Sequence, residues 1–251
     1  CFVGLINKTV TLLIPLKESD DEFRLTYISR GMLSTSELSI LQADKEILAF
    51  AHRTIKMFGI SKSLFYAKNA DEAAKIYERV EKYEGISDRM EVEIAKYLTK
   101  AAEGRLSNVS KKNVHALLRV VSEIESIGDS NFNLAKTIMR KRNDGKEYSP
   151  EMTKRVEDMF VLVEEALSEM MHVLNENMTD MTVGSINNSL RIEKDINALR
   201  NEYRMKNATD VKEQKYPYEV SVTYMDMIGE CEKIGDYILN VVEQYQETRA
   251  K

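Results

Sequence analysis

Six pairs of identical residues recur along the chain at one spacing of 107: Glu123 and Glu230, Glu125 and Glu232, Ile127 and Ile234, Gly128 and Gly235, Asp129 and Asp236, Asn133 and Asn240. Within each copy, Glu, Asp and Asn stand four residues apart. On a helix, positions i, i+4 and i+8 share a face, so Glu125, Asp129 and Asn133 form a row of side-chain oxygens over two turns. Glu232, Asp236 and Asn240 form a second such row. Rows of this kind suit the coordination of a hard cation by oxygen.

A surface helix gains nothing from the arrangement, because carboxylates four apart repel each other. The flanking residues add direction. Leu118 and Phe132 lie seven before and after Glu125, and Met225 and Leu239 lie likewise around Glu232. A seven-residue step returns to nearly the same face. Both glutamates are therefore expected to interrupt an apolar seam, where an ionised carboxylate without a partner is costly. A cation offsets that cost, and so do facing Arg or Lys residues.

Further oxygens come from the preceding helices. Glu84 and Asp88 sit mid-helix in the first half, and Glu193 and Asn197 hold the matching place in the second, with Asp195 as a substitute. An antiparallel neighbour would bring these against the third-helix rows. Such an oxygen shell suits Mg²⁺, Mn²⁺, Ca²⁺ or iron better than metals that seek thiolate. A lone Glu-x-x-x-Asp is an ordinary solvated pattern; two aligned copies are not. Gly128 and Gly235, each beside its Asp, would let neighbouring helices approach closely.

The elements that position these residues are long helices. Ser34 to Glu37 reads as a capping box, and Leu41, Ile47, Leu48, Ala51, Ile55 and Phe58 follow at helical spacing to about Tyr66. After a break at Lys68 and Asn69, a second helix carries Ile76, Val80, Tyr83, Met90, Ile94 and Leu98 to about Gly104. A third starts after Ser107 to Ser110 and runs to about Lys141. Asn143 to Pro150 contains a Gly and then Ser149 before Pro150, which signals a helix restart. The plan then repeats from Glu151 to Asn177, Val183 to Asn207 and Tyr218 to Glu247, with a polar loop over Asp210 to Lys215. The expected organisation is a connector at 1–33, a first three-helix repeat at 34–142, a linker at 143–149 and a second repeat at 150–251. Each repeat packs as an up-down-up bundle, so the fold class is all-α.

Composition bounds the function. The 251 residues include only 10 Gly and 3 Pro, which disfavours turn-rich β architectures. A net charge of −5 argues against nucleic acid as a partner. Cys1 and Cys231 form no CxxC, which fits a reducing, cytosolic setting. His52, His115 and His172 are isolated, and no phosphate-binding loop, dinucleotide fingerprint or nucleophile elbow occurs, so no enzyme activity is expected. Residues 2–16 are largely apolar but shorter than the roughly 20 residues of a spanning helix. They read as a packed tail or as the trailing edge of a membrane segment. A start at Cys instead of Met suggests part of something longer.

Paired Glu-x-x-x-Asp motifs ending in Ile-Gly-Asp-x-x-x-Asn, on two three-helix repeats, resemble the PhoU family of bacterial phosphate-uptake regulators. The resemblance spans about Glu37 to Glu247. It implies two tandem antiparallel three-helix bundles related by a pseudo-twofold. It also implies bound divalent or trivalent ions such as iron, manganese, magnesium or zinc. Asn197 departs from the family's acidic pattern, so the first repeat is the better-equipped site. The apolar start followed by Leu25 to Ile40 resembles the join between the membrane and PhoU-like domains of sodium/phosphate cotransporters. The expected partner is then a transport domain of the same polypeptide, at the cytoplasmic face of the bacterial inner membrane. A stand-alone regulator of a phosphate transporter or sensor kinase is the alternative, and a homodimer is compatible with either. A metal-free bundle held by salt bridges is the reading from a different class. A carboxylate-bridged metal oxidase is disfavoured, because the Glu-x-x-His ligand pairs of di-iron bundles are missing.

Overall fold

A computed structural model describes residues 22–28, 36–104, 106–145, 147–175 and 183–248. Among them are six helices and no strand: α1 (Ser36–Phe65), α2 (Ala70–Ala102), α3 (Asn108–Asn143), α4 (Pro150–Asn175), α5 (Val183–Lys212) and α6 (Tyr218–Glu247). The expected Ser34 cap, the apolar run at 2–16 and the expected helix end at Asn177 lie outside the described residues.

Helix starts follow local chemistry. Asn69 caps α2 by accepting from the Glu72 N–H at 2.8 Å, while the Glu72 carboxylate accepts from the Lys68 N–H at 2.8 Å. Ser107 caps α3 through the Ser110 N–H at 3.0 Å, and Ser149 accepts from the Met152 N–H at 3.2 Å at the start of α4. α3 ends with Gly145 at φ +63°, the left-handed stop that glycine adopts without a Cβ penalty.

One boundary differs from expectation. α5 runs on to Lys212, through residues read as a polar loop. Side-chain bonds hold these last turns: Asp210 accepts from Arg155 at 3.1 Å and from Lys215 at 2.7 Å, and Asn207 donates to Ser221 at 2.8 Å. Arg155 and Ser221 are 55 and 14 residues from their partners, too far to appear as helical periodicity.

In each repeat the three helices pack on one another, and α3 and α6 then form the most extensive helix pair among the described residues. α3 and α6 run antiparallel. Arg119 pairs with Glu247 at one end and Arg140 with Asp226 at the other. α1 meets α4 beside this seam, where Phe58 and Phe160 pack edge to face at 5.9 Å between ring centroids. The two repeats therefore share a continuous core instead of hanging from a linker. Tyr148, read as linker, is buried, and its hydroxyl donates to Thr223 at 3.2 Å.

The described part of the N-terminal connector docks on the first repeat. The Thr26 and Tyr27 N–H groups donate to the fully buried Glu46 carboxylate at 2.9 and 2.7 Å. Arg89 of α2 lies 4.1 Å over the Phe23 ring.

Candidate metal centre

α2 and α3 are antiparallel neighbours that meet closely at Gly128. A Cβ there would lie 2.7 Å from Ser87 Oγ, a side-chain atom that can turn away, and 3.5 Å from Ser87 Cβ. On the face beside this contact, carboxylate oxygens of Glu84, Asp88 and Asp129 come within 4.8 Å of one another. Glu125 stands one turn before Asp129, and Glu91 reaches the same field from α2. Five carboxylates from two helices thus share one face.

Their mutual repulsion is visible in their proton affinities. Burial first, then Asp129 and Glu91, push the Glu125 carboxyl up to about 7. Burial, then Asp88 and Asp129, raise Glu84, while Lys136 tempers it. Asp88 is raised by burial and Asp129. Glu91 is raised by burial, Asp88 and Asp129, against a hydrogen bond with Ser122. The Lys136 ammonium sits 3.8 Å over the Phe132 ring, at the Asn133 end of the row.

The setting is shallower than a buried seam. Glu84, Glu91 and Glu125 are half-buried, whereas Asp88, Asp129 and Asn133 are exposed. Leu118 and Phe132, which suggested the seam, are themselves only half-buried. The seven-residue step does return to their face, but that face is only partly covered, with Phe132 stacked on Tyr77 of α2. Glu91 was missed by sequence reasoning, although its place seven residues after Glu84 puts it on the same face.

The second repeat is built differently. Glu193 accepts from the Asn197 amide, and Glu232 accepts from Arg200 at 2.5 Å. Arg200 also donates to the Asn197 side-chain oxygen Oδ1 at 3.3 Å. Asp236 remains in the row, pushed up to about 6 by burial, Glu232 and Glu193, against Arg200. Asp195 does not join it: Arg191 holds Asp195 at 2.8 Å and Glu165 of α4 at 2.6 Å. Asn240 turns to the other repeat and donates to Glu123 at 3.0 Å. Gly235 keeps the close approach, its Cβ position lying 2.8 Å from Ile196 Cδ1.

The donor set of the first repeat fits a hard cation. It offers several carboxylates, partial exposure for entry and no thiolate or imidazole. Among the described residues, Glu84, Asp88 and Asp129 are the one group of three or more acidic, His or Cys side chains near enough to share an ion.

Comparison with known proteins agrees with this plan. The PhoU domain profile matches residues 47–138 and again 156–245, one copy per repeat. PhoU from Pseudomonas aeruginosa has a TM-score of 0.74 with this chain, at 14% identity, over 84% of this chain and 97% of its own. The phosphate transport system regulatory protein PhoU from Streptococcus pneumoniae has a TM-score of 0.69, at 15% identity, over 85% and 96%. No curated protein sequence matches. At these identities the solved structures share the fold, and the doubled profile carries the assignment: the chain belongs to the PhoU domain family.

Proposed function

We propose that the protein regulates bacterial phosphate uptake, and that its first repeat binds a divalent or trivalent cation through Glu84, Asp88, Glu91, Glu125 and Asp129. The observation that carries the cation reading is the convergence of the Glu84, Asp88 and Asp129 oxygens within 4.8 Å. Membership of the PhoU family, and likeness to a phosphate transport system regulatory protein, support the regulatory role. A cation there would offset part of the row's negative charge and tie α2 to α3, stiffening the face that a partner would read.

The partner is a phosphate transporter in the membrane, and the favoured form is a transport domain preceding this chain in a sodium-dependent cotransporter. What supports that form is the apolar character of residues 2–16 and the segment after it. No helix among the described residues is long and apolar enough to cross a membrane. Reading the gene upstream of Cys1 separates the two arrangements: several spans favour the fused transporter, a nearby start codon the separate regulator.

The test of the cation site is elemental analysis of protein purified without chelators, against a Glu125→Ala/Asp129→Ala variant. Metal in the parent and little in the variant is the expected result. Equal content in both would sink the assignment. The regulatory role is read in cells, where deletion should change phosphate uptake and the variant should fail to restore it.

A further inference from the structure

We infer that the second repeat carries its own cation, the Arg200 guanidinium, and that this closes its carboxylate row to metal. The inference rests on reading the first-repeat row as a cation site, and concerns what the second row has become.

The second helices of the two repeats correspond at a spacing of 109 residues. Glu84 matches Glu193, Asp88 matches Asn197, and Ser87 matches Ile196. The last match is independent of the acidic pattern, because Ser87 is what Gly128 meets and Ile196 is what Gly235 meets. At the same spacing Glu91 corresponds to Arg200. Glu91 raises the proton affinity of Glu125 in the first repeat. Arg200 donates to Glu232, the counterpart of Glu125, at 2.5 Å. An electrostatic repulsion in one repeat thus corresponds to an ion pair in the other.

Two substitutions act together. Glu91 to Arg200 reverses a charge, and Asp88 to Asn197 removes one. Five carboxylates become three, with a guanidinium among them. Asn197 then serves both neighbours, donating to Glu193 and accepting from Arg200. The pair is partly shielded, with Arg200 and Glu232 side chains 28% and 17% exposed. A metal entering this row would have to displace a tethered cation and strip Asn197 and Arg200 of hydrogen bonds. The first row, by contrast, has Lys136 only at its end, facing Glu84.

Mn²⁺ binding, measured by electron paramagnetic resonance and titration calorimetry, tests this on four proteins. They are the parent, E232Q/D236N, E125Q/D129N, and E125Q/D129N carrying R200E and N197D in addition. The expected result is equal Mn²⁺ in the parent and E232Q/D236N, loss to background in E125Q/D129N, and binding regained in the fourth. Reduced Mn²⁺ in E232Q/D236N would overturn the inference, as would a folded fourth variant that regains none. Should the fourth fail to fold by circular dichroism, E232Q/D236N against the parent still decides. If the parent binds no Mn²⁺ but the fourth variant does, the first-repeat site falls while the role of Arg200 stands.

Discussion

Arg119 on α3 pairs with Glu247 on α6, and the counterparts of these two residues in the opposite repeats pair with each other as Asp226 and Arg140. Arg119 and Asp226 are 107 residues apart, as are Arg140 and Glu247. The central helix pair is therefore a self-complementary contact within one chain, as a twofold interface would be between two. All four side chains are about half exposed, from 47% to 59%. Exposed pairs contribute about 0.2–1 kcal/mol each, so they set register more than stability.

Removing both arginines, as Arg119→Ala/Arg140→Ala, should cost no more than about 2 kcal/mol in urea unfolding. Ile124→Ala, at a fully buried position of the same helix, should cost about 2–5 kcal/mol. A double-arginine loss exceeding that of Ile124→Ala would show that charge, not packing, holds the seam.

The paired glycines should respond unequally to alanine. At Gly128 the close atom is Ser87 Oγ, 2.7 Å away, which can swing aside, while Ser87 Cβ stands at an ordinary 3.5 Å. Gly128→Ala should thus be neutral, or gain up to about 1 kcal/mol from helix propensity. At Gly235 a Cβ would meet three atoms of the branched Ile196 side chain, at 2.8, 3.4 and 3.8 Å. Gly235→Ala should lose about 1–3 kcal/mol by overpacking. Adding Ile196→Val, which removes the nearest carbon, should return part of it; thermal unfolding of the three variants beside the parent checks this. Equal effects at the two glycines would count against the asymmetry.

The same residues show what a sequence can and cannot disclose. Helix starts at Asn69, Ser107 and Ser149 are legible because a cap bonds a backbone group three residues away. The carboxylate rows are legible because four-residue spacing is a local property and the repeat doubles it. Arg200 was not legible as a member of its row. Its partner Glu232 is 32 residues away on another helix, and an arginine at that position reads as a solvated face. Spacing puts Asn240 in the row, yet its amide donates to Glu123 of the other repeat, a contact that exists only once α3 meets α6.

Glu46 should fasten the segment before α1. Its buried carboxylate accepts two backbone N–H groups, and hydrogen bonds to charged groups contribute about 1.5–3 kcal/mol each. Glu46→Ala should free residues 22–28 without unfolding either repeat. Hydrogen exchange should then accelerate at Thr26 and Tyr27 while α3 and α6 stay protected. Unchanged exchange at both amides would mean that Phe23 and Ile28 hold the segment alone.

Cation-free protein should resist unfolding less as pH rises through the range in which the row ionises. Glu125 holds its proton up to about 7 in the folded chain, against an ordinary value of 4.5. A folded-state value above the unfolded one means the group favours folding fully only below about pH 4.5, and that contribution is lost as pH rises through about 7. Glu125→Gln cannot ionise. With EDTA present, it should match the parent near pH 4.5 and become the more stable of the two by about pH 8. Mn²⁺ should act oppositely on the parent, since binding needs ionised carboxylates and releases their protons. Its thermal stabilisation should therefore grow over the same interval and be absent in E125Q/D129N. A parent-minus-variant difference that stays flat from about pH 4.5 to 8 would remove Glu125 as the source of the linkage.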